Sequence, residues 1–208
     1  MRYMARLTDA EIEAARKVFE ARYALYRGKG LDFLWNKELV LEKAGPLSGK
    51  ILDIGSGRGM MALCLARKGY DITSIDNNEV MLRTTVLNLA HEGLNGKVEL
   101  HKMDAGSLEF PDHSFVNIFM AEALHHISAL DGVFNEIDRV LSPEGLFMIS
   151  DLNDKGLRII EDVHAAEGRK HESSLLGPED ASEWLEKRGY RVKRYDNACI
   201  WMIAARKT

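Results

Sequence analysis

The fold of this 208-residue chain is decided by the stretch Ile51-Leu52-Asp53-Ile54-Gly55-Ser56-Gly57-Arg58-Gly59. Its apolar first part belongs to a predicted short strand, Lys50–Ile54, and its glycines allow the backbone to turn sharply and to approach a ligand closely. A helical pattern, Met60–Lys68, follows at once, and the N–H groups at the beginning of a helix attract electron-rich ligand atoms. The stretch therefore predicts a strand, a ligand-binding loop and a helix in succession.

Strands and helices continue to alternate after this stretch. Further strands are predicted at Asp71–Asp76, Lys97–Met103, Phe115–Ala121 and Gly145–Ser150, and helices at Glu79–His91 and Leu130–Leu141. Such alternation is typical of βαβ units with right-handed crossovers and of a largely parallel sheet. The fold class is therefore α/β, with a Rossmann-like, doubly wound arrangement.

The C-terminal segment predicts a different ending for the sheet. A helix from Pro178 to about Arg188 precedes two strands, Tyr190–Asn197 and Cys199–Ala205, which almost adjoin in sequence. Strands joined by so short a connection must be antiparallel. We therefore expect a mostly parallel sheet that includes one antiparallel strand, the last in the chain.

Composition and charge narrow the class of partner. Hydrophobic residues make up 46% and charged residues 29% of the chain, which excludes disordered and collagen-like proteins. The net charge is −4 with both signs mixed, so nucleic acid is disfavoured as a partner and a small molecule is favoured. The longest apolar run, Ala198–Ala205, is much shorter than the roughly 20 residues of a membrane span.

Other partner and compartment signals are weak. The N-terminus has no apolar signal-peptide core, so we expect a cytoplasmic protein. Cys64 and Cys199 are the only cysteines, and they support neither a disulfide framework nor a zinc cluster. The sequence is compatible with a homodimer but does not determine the oligomeric state.

The spacing of the loop glycines distinguishes two kinds of nucleotide site. Dinucleotide-binding loops usually read G-x-G-x-x-G, whereas here the third glycine comes one residue earlier. Asp76 ends the second strand, and a carboxylate at that position can accept hydrogen bonds from both hydroxyls of a ribose. Together these features predict a ligand that contains a ribose, and the alternative is a glycine-rich turn with no ligand.

Five blocks of sequence resemble the class I S-adenosylmethionine-dependent methyltransferases. They read LDIGSGRG, SIDNN, KMDA, FVNIFMAEALHHI and LSPEGLFMISD, and the resemblance extends from Lys50 to Ala205. It is strongest to the branch that contains quinone-biosynthesis C-methyltransferases. The resemblance implies a seven-stranded sheet, S-adenosyl-L-methionine as cofactor, S-adenosyl-L-homocysteine as product, and a small-molecule methyl acceptor (EC 2.1.1.-).

The resemblance also implies a set of cofactor contacts. The methionine part would lie over the glycine loop, at Gly55, Ser56, Gly57 and Gly59, and its amino group would lie near Asp53. The ribose would be held by Asp76, and the adenine would lie beside Asn77, with its amino group read by Asp104 and Ala105. Glu122 would face the methionine end and the acceptor.

On this basis we interpret residues 1–208 as a single methyltransferase domain. Residues 1–45 would form an N-terminal helical cover of two helices, the first beginning with a capping box of Thr8 and Glu11. Residues 46–151 would form the cofactor-binding half, and residues 152–208 an insertion and the C-terminal strands. The long connection Leu152–Leu176 is interpreted as a lid or a substrate-binding insertion.

Methyl transfer requires mainly that the nucleophile lie about 3 Å from the methyl group and in line with the sulfur. A base is needed only if the nucleophile must lose a proton. His125 and His126 follow the fourth strand, where the acceptor should lie, and are the catalytic candidates. They could instead only shape the loop, one packed and one solvated.

Other candidate groups remain open at this stage. Asp151, Asn153 and Asp154 follow the fifth strand, but the fourth strand supplies no aspartate, so we interpret them as a polar turn and expect no metal. Aromatic residues of the cover, Tyr23, Tyr26 and Trp35, could lie against the sulfonium or pack in the core. The insertion adds His164, Arg169 and His171, which could meet the acceptor or be solvated.

Two alternatives come from other functional classes. An NAD(P)-binding oxidoreductase would share the general architecture, but the shortened glycine spacing and the antiparallel ending argue against it. A non-catalytic S-adenosylmethionine-binding protein is compatible with the sequence, because no essential base is evident in it.

Overall fold

The computed structural model describes residues 3, 5–170, 174 and 176–207. Its centre is a seven-stranded sheet in the order β3-β2-β1-β4-β5-β7-β6. The strands are β1 Ile51–Ile54, β2 Ile72–Asp76, β3 Val98–Lys102, β4 Phe115–Ala121, β5 Leu141–Leu152, β6 Tyr190–Asp196 and β7 Ile200–Lys207. Only β7 is antiparallel to its neighbours β5 and β6, so the predicted doubly wound sheet with an antiparallel last strand is confirmed.

Helices cover both faces of the sheet. They are α1 Asp9–Gly28, α2 Phe33–Ala44, α3 Met60–Arg67, α4 Glu79–His91, α5 Leu130–Val140, α6 Asp154–Ala166 and α7 Pro178–Glu186. The capping box at the beginning of α1 is present, with Thr8 accepting from the Glu11 backbone and the Glu11 carboxylate accepting from Thr8. No helix among the described residues is long and apolar enough to cross a bilayer.

Strand β5 begins earlier than predicted. The expected strand started at Gly145, whereas the observed one starts at Leu141, directly where α5 ends. Leu141 pairs with Phe115, and the register then shifts before Leu146 pairs with Asn117. Pro143 lies within this irregularity, where its missing N–H removes no ladder hydrogen bond.

The core has two parts, one on each face of the sheet. One part contains α2, α3 and α6 residues, and the other contains α5 and α7 residues packed on the opposite face. Cys64 is fully buried in α3, and burial raises the pKa of its thiol to about 12, so it is a packing residue. The strand order reverses between β1 and β4, which leaves a crevice beyond their carboxyl ends.

Candidate cofactor and acceptor site

The glycine loop turns back over the end of β2. The backbone N–H groups of Gly55 and Ser56 both donate to the carbonyl oxygen of Ile75 at 2.9 Å, and the Gly57 N–H donates to Asp76 Oδ2 at 2.8 Å. Gly55 has a φ of +79°, and a Cβ placed on it would lie 2.8 Å from the Cβ of Ala123. The loop therefore requires glycine at position 55 for both conformation and space.

Gly59 and Asp53, for which the resemblance implied cofactor contacts, do not line either of the two cavities described below within the part of the chain that the structure describes. A Cβ on Gly59 would lie 2.8 Å from Thr85 Cγ2, so this glycine allows α3 to pack closely against α4. Asp53 is 1% exposed and accepts a 2.7 Å hydrogen bond from Ser74 Oγ. Burial raises the pKa of Asp53 to about 6, opposed by the Ser74 hydrogen bond and by the charge of Lys37.

The first cavity, of about 380 Å³, lies beyond the ends of β1 and β2. It is lined by four predicted adenosine contacts, Asp76, Asn77, Asp104 and Ala105, together with Gly55. Asp76 Oδ1 accepts from the Asn78 N–H at 2.8 Å, and Asp104 Oδ1 accepts from the Gly106 N–H at 2.7 Å. These backbone donors orient both carboxylates at the mouth of the cavity.

The second cavity, of about 330 Å³, adjoins the first, since Gly55 and His126 line both. Ser56, Gly57 and Glu122 line it on the sheet side. The N-terminal helical cover contributes four aromatic side chains, Phe19, Tyr23, Tyr26 and Phe33. Trp35 does not line it and is 55% exposed, so of the aromatic candidates only the two tyrosines are at the site.

A buried ion pair in the second cavity was missed by the sequence analysis. Lys37 of α2 is 2% exposed, and its Nζ donates to Glu122 Oε2. The other carboxylate oxygen, Oε1, is buried and makes no hydrogen bond within the described part of the chain. Lys37 occupies the buried face of α2 with Val40, Leu41 and Ala44, and a lysine in that apolar stripe was the available signal.

A second missed residue is Asp151, at the end of β5, which the sequence analysis assigned to a polar turn. Asp151 Oδ1 lies 2.6 Å from His125 Nδ1, and Oδ2 accepts from the His125 backbone N–H at 2.9 Å. His125 is buried and lines the second cavity, whereas His126 is exposed, and the two rings are 4.0 Å apart. One histidine is therefore buried and the other exposed, and both line the cavity.

The other polar residues after β5 have local roles. Asn153 caps α6 by accepting from two backbone N–H groups, and Asp154 is exposed. Among the described residues, no group of three or more histidine, cysteine, aspartate or glutamate side chains could hold a metal ion. Of the insertion candidates, His164 and Arg169 line the second cavity, and His171 lies outside the described residues.

The two adjoining cavities fit a nucleoside joined to an amino acid. Carboxylates at the first cavity suit a ribose. Asp76 Oδ1 accepts one hydrogen bond, from the Asn78 N–H, and retains a further lone pair, while Oδ2 accepts from the Gly57 N–H at 2.8 Å and from Ser56 Oγ at 3.5 Å. The unpartnered Glu122 Oε1 in the second cavity suits a cationic ammonium group. The residues present therefore fit S-adenosylmethionine.

Comparisons with known proteins agree with this geometry. Residues 52–149 match the methyltransferase domain family. The sterol 24-C-methyltransferase ERG6A of Gibberella zeae is 32% identical over 131 residues, which are 62% of this chain and 33% of that protein. The ubiquinone/menaquinone biosynthesis C-methyltransferase UbiE of Pseudomonas putida is 31% identical over 152 residues, which are 67% of this chain and 59% of that protein. This chain thus spans only part of the length of either relative.

A solved structure shares the fold. The glycopeptide N-methyltransferase MtfA, crystallised with S-adenosyl-L-homocysteine, aligns with a TM-score of 0.67 at 16% identity, covering 83% of this chain and 89% of that chain.

Proposed function

We propose that this chain is a class I S-adenosylmethionine-dependent methyltransferase, and that it transfers the methyl group of S-adenosyl-L-methionine to a small-molecule acceptor by in-line displacement. The match of residues 52–149 to the methyltransferase domain family and the 31% identity to a quinone-biosynthesis C-methyltransferase support this proposal. The observation that carries this proposal is the glycine loop between two adjoining cavities at the point where strand order reverses. Ligands of open α/β sheets bind at this point. When bound, the cofactor supplies an activated methyl group on a sulfonium sulfur.

The first cavity is proposed to bind the adenosine part. Asp76 accepts the ribose hydroxyls, while Asn77, Asp104 and Ala105 surround the adenine. This assignment is supported by the position of these residues around one cavity and by the spare accepting capacity of Asp76 Oδ1.

The second cavity is proposed to bind the methionine part and the acceptor. Gly55, Ser56 and Gly57 approach the methionine part, and Glu122 binds its ammonium group through the carboxylate oxygen that Lys37 leaves unpartnered. The aromatic side chains of the N-terminal cover exclude water from the reacting atoms, which strengthens electrostatic interactions there.

His125 is proposed as the base when the acceptor must lose a proton. The Asp151 carboxylate can only accept hydrogen bonds, so it holds the proton of the imidazole on Nδ1. Nε2 is then the nitrogen that takes the proton from the acceptor, and Asp151 stabilises the imidazolium that forms. His126, which lines both cavities, is proposed to contact the acceptor.

Binding and transfer experiments test the proposal against its alternatives. Calorimetric titration with S-adenosylhomocysteine and with NADH separates a methyltransferase from an oxidoreductase, and binding of NADH alone would overturn the proposal. Transfer of labelled methyl groups across a panel of alcohols, phenols, amines and activated carbon acids then separates an enzyme from a non-catalytic binder. Loss of transfer in His125→Ala with unchanged cofactor affinity would support the assigned base.

A further inference from the structure

Three arginines from three separate segments line the second cavity. Arg22 belongs to α1, Arg58 to the glycine loop, and Arg169 to the segment after α6. Arg58 lies within electrostatic reach of both other arginines. The cavity therefore concentrates positive charge beside the proposed position of the acceptor.

One carboxylate, Glu167, partly compensates this charge. It accepts a 2.8 Å hydrogen bond from Arg22 and a 3.0 Å hydrogen bond from Arg169 Nε. The Lys37–Glu122 pair elsewhere in the cavity adds no net charge. Three positive arginines thus face one negative side chain, in a protein whose overall charge is −4.

Arg58 makes no ion pair or side-chain hydrogen bond with any part of the chain that the structure describes. Burial, and then the charge of Arg22, lower the pKa of this guanidinium, which means that its surroundings disfavour the positive charge. Arg22 Nε is also buried and has no hydrogen-bond partner among the described residues. A partly buried guanidinium without an ion-pair partner is unfavourable, and so is a buried N–H group without an acceptor. An anion between Arg58 and Arg22 Nε would satisfy both groups.

The remainder of the cavity is apolar. Phe19, Tyr23, Tyr26 and Phe33 line it together with Ile160 of α6, and the Arg22 guanidinium lies 5.5 Å from the centre of the Tyr26 ring. A ligand that occupies both regions has an anionic group joined to an apolar body.

We propose that the methyl acceptor carries a carboxylate or phosphate on a small apolar, ring-sized body, and that Arg22, Arg58 and Arg169 bind its anionic group. This inference rests on the proposed function and narrows its substrate class. A sterol, with its single hydroxyl, would leave the charge of Arg58 without a counter-charge. The carboxylate of the cofactor is the other possible source of an anion, and the experiment must separate the two.

The test uses binding of simple probes to the whole protein saturated with S-adenosylhomocysteine. Benzoate and phenyl phosphate are titrated by ligand-observed NMR, with benzyl alcohol as the neutral probe. The variants are Arg58→Gln and Arg169→Gln, and Arg169, whose side chain is 48% exposed, is the substitution that least endangers folding. Arg16→Gln is the matched control, because Arg16 lies on the surface of α1 and pairs with Glu20 at 2.8 Å.

We expect both anions to bind the wild type, and each cavity variant to weaken them about tenfold, the effect of losing one charged hydrogen bond. S-adenosylhomocysteine affinity, benzyl alcohol binding and the Arg16→Gln protein should be unchanged. Anion binding that is equal in the wild type and the variants would overturn the inference. A second result would also overturn the inference: the variants bind S-adenosylhomocysteine more weakly, and the saturated wild-type protein binds neither anion. The arginines would then bind the carboxylate of the cofactor.

Failure of the proposed function has a different signature. If S-adenosylhomocysteine does not bind the wild type, the same anion titrations are made on the free protein. Anion binding that depends on Arg58 and Arg169 would then support an anionic ligand for this cavity, and binding independent of them would overturn it.

Discussion

Asp151 Oδ1 lies 2.6 Å from His125 Nδ1, and the other oxygen of the same carboxylate accepts the backbone N–H of His125 at 2.9 Å. Asp151 also accepts the Leu152 N–H at 2.7 Å. Both side chains are buried, so the ring is held by packing and by hydrogen bonds at once. The end of β5 therefore sets the orientation of a histidine that follows β4.

Asp151→Asn should release this orientation, because an amide offers one accepting oxygen for three donors. We expect a mixture of His125 tautomers in ¹⁵N NMR, and a fall in kcat of about 100-fold if the histidine acts as base, with KM little changed. Asp154→Asn is the control, since Asp154 is exposed a few residues away. An unchanged tautomer and an unchanged kcat would show that the carboxylate does not position the ring.

Asp76→Ala should weaken binding of S-adenosylhomocysteine by about 1–3 kcal/mol through loss of charged hydrogen bonds. It should also lower Tm, because the N–H groups of Gly57 and Asn78 lose their acceptor. Asp71→Ala, at an exposed position that pairs with Lys97, is the control. Calorimetry that gives equal affinities for the two variants would place the ribose elsewhere.

Two loop glycines should respond differently to valine. A Cβ on Gly57 would have only Gly55 O, at 3.9 Å, within contact range, so Gly57→Val should still fold. Its free energy of unfolding should fall by about 1–2 kcal/mol, because valine is strained at a φ of +52°. The valine side chain should also prevent S-adenosylhomocysteine from binding. Gly59→Val should mainly lose stability, because its Cβ would meet Thr85 at 2.8 Å. Thermal melts and calorimetry on both proteins measure the two effects separately. Normal affinity in Gly57→Val would mean that the loop does not approach the ligand.

Asp53 should make the free energy of unfolding depend on pH. Its pKa is about 6 in the folded protein and 3.8 when unfolded, so between these values the folded state binds the extra proton. The contribution of Asp53 to the free energy of unfolding is therefore greatest below about pH 4. It falls by roughly 1–3 kcal/mol as the pH rises to about 6. Asp53→Asn lacks this titration.

Urea unfolding of the wild type and of Asp53→Asn at several pH values checks this expectation. The free energy of unfolding of Asp53→Asn, minus that of the wild type, should increase from pH 4 to pH 6. Above pH 6 this difference should stay constant. A difference that is flat across this range, or that has the opposite slope, would contradict the raised pKa.

Glu122→Gln should destabilise the protein by about 3–5 kcal/mol, because Lys37 would be left buried without its charged partner. The double variant Lys37→Met with Glu122→Gln should recover much of this loss, since both charges are then absent. Denaturant titrations of the two single variants and the double variant measure the coupling. Additive effects would show that the two side chains do not stabilise each other.

Much of the fold could be predicted from local patterns. Helix α4 and strand β4 have the predicted bounds, and the antiparallel β7 followed from the short connection after β6. These features depend on residues that are close in sequence, where periodicity and turn residues act directly. The start of β5 was wrong because a proline suggested a break, while the bulge that accommodates it depends on pairing with β4.

The residues of the candidate site also fall into two groups, those that local sequence predicts and those that only the tertiary structure brings together. Local sequence alone determined the glycine loop, the carboxylate that ends β2 and the histidines that follow β4, because each is attached to an element whose type is encoded nearby. Only the tertiary structure decided that Lys37 meets Glu122, 85 residues away, that Asp151 meets His125, 26 residues away, and that three arginines face one cavity. The reason is physical: such contacts arise when the order of strands and the packing of helices bring distant residues together, and no periodicity in the chain records that order.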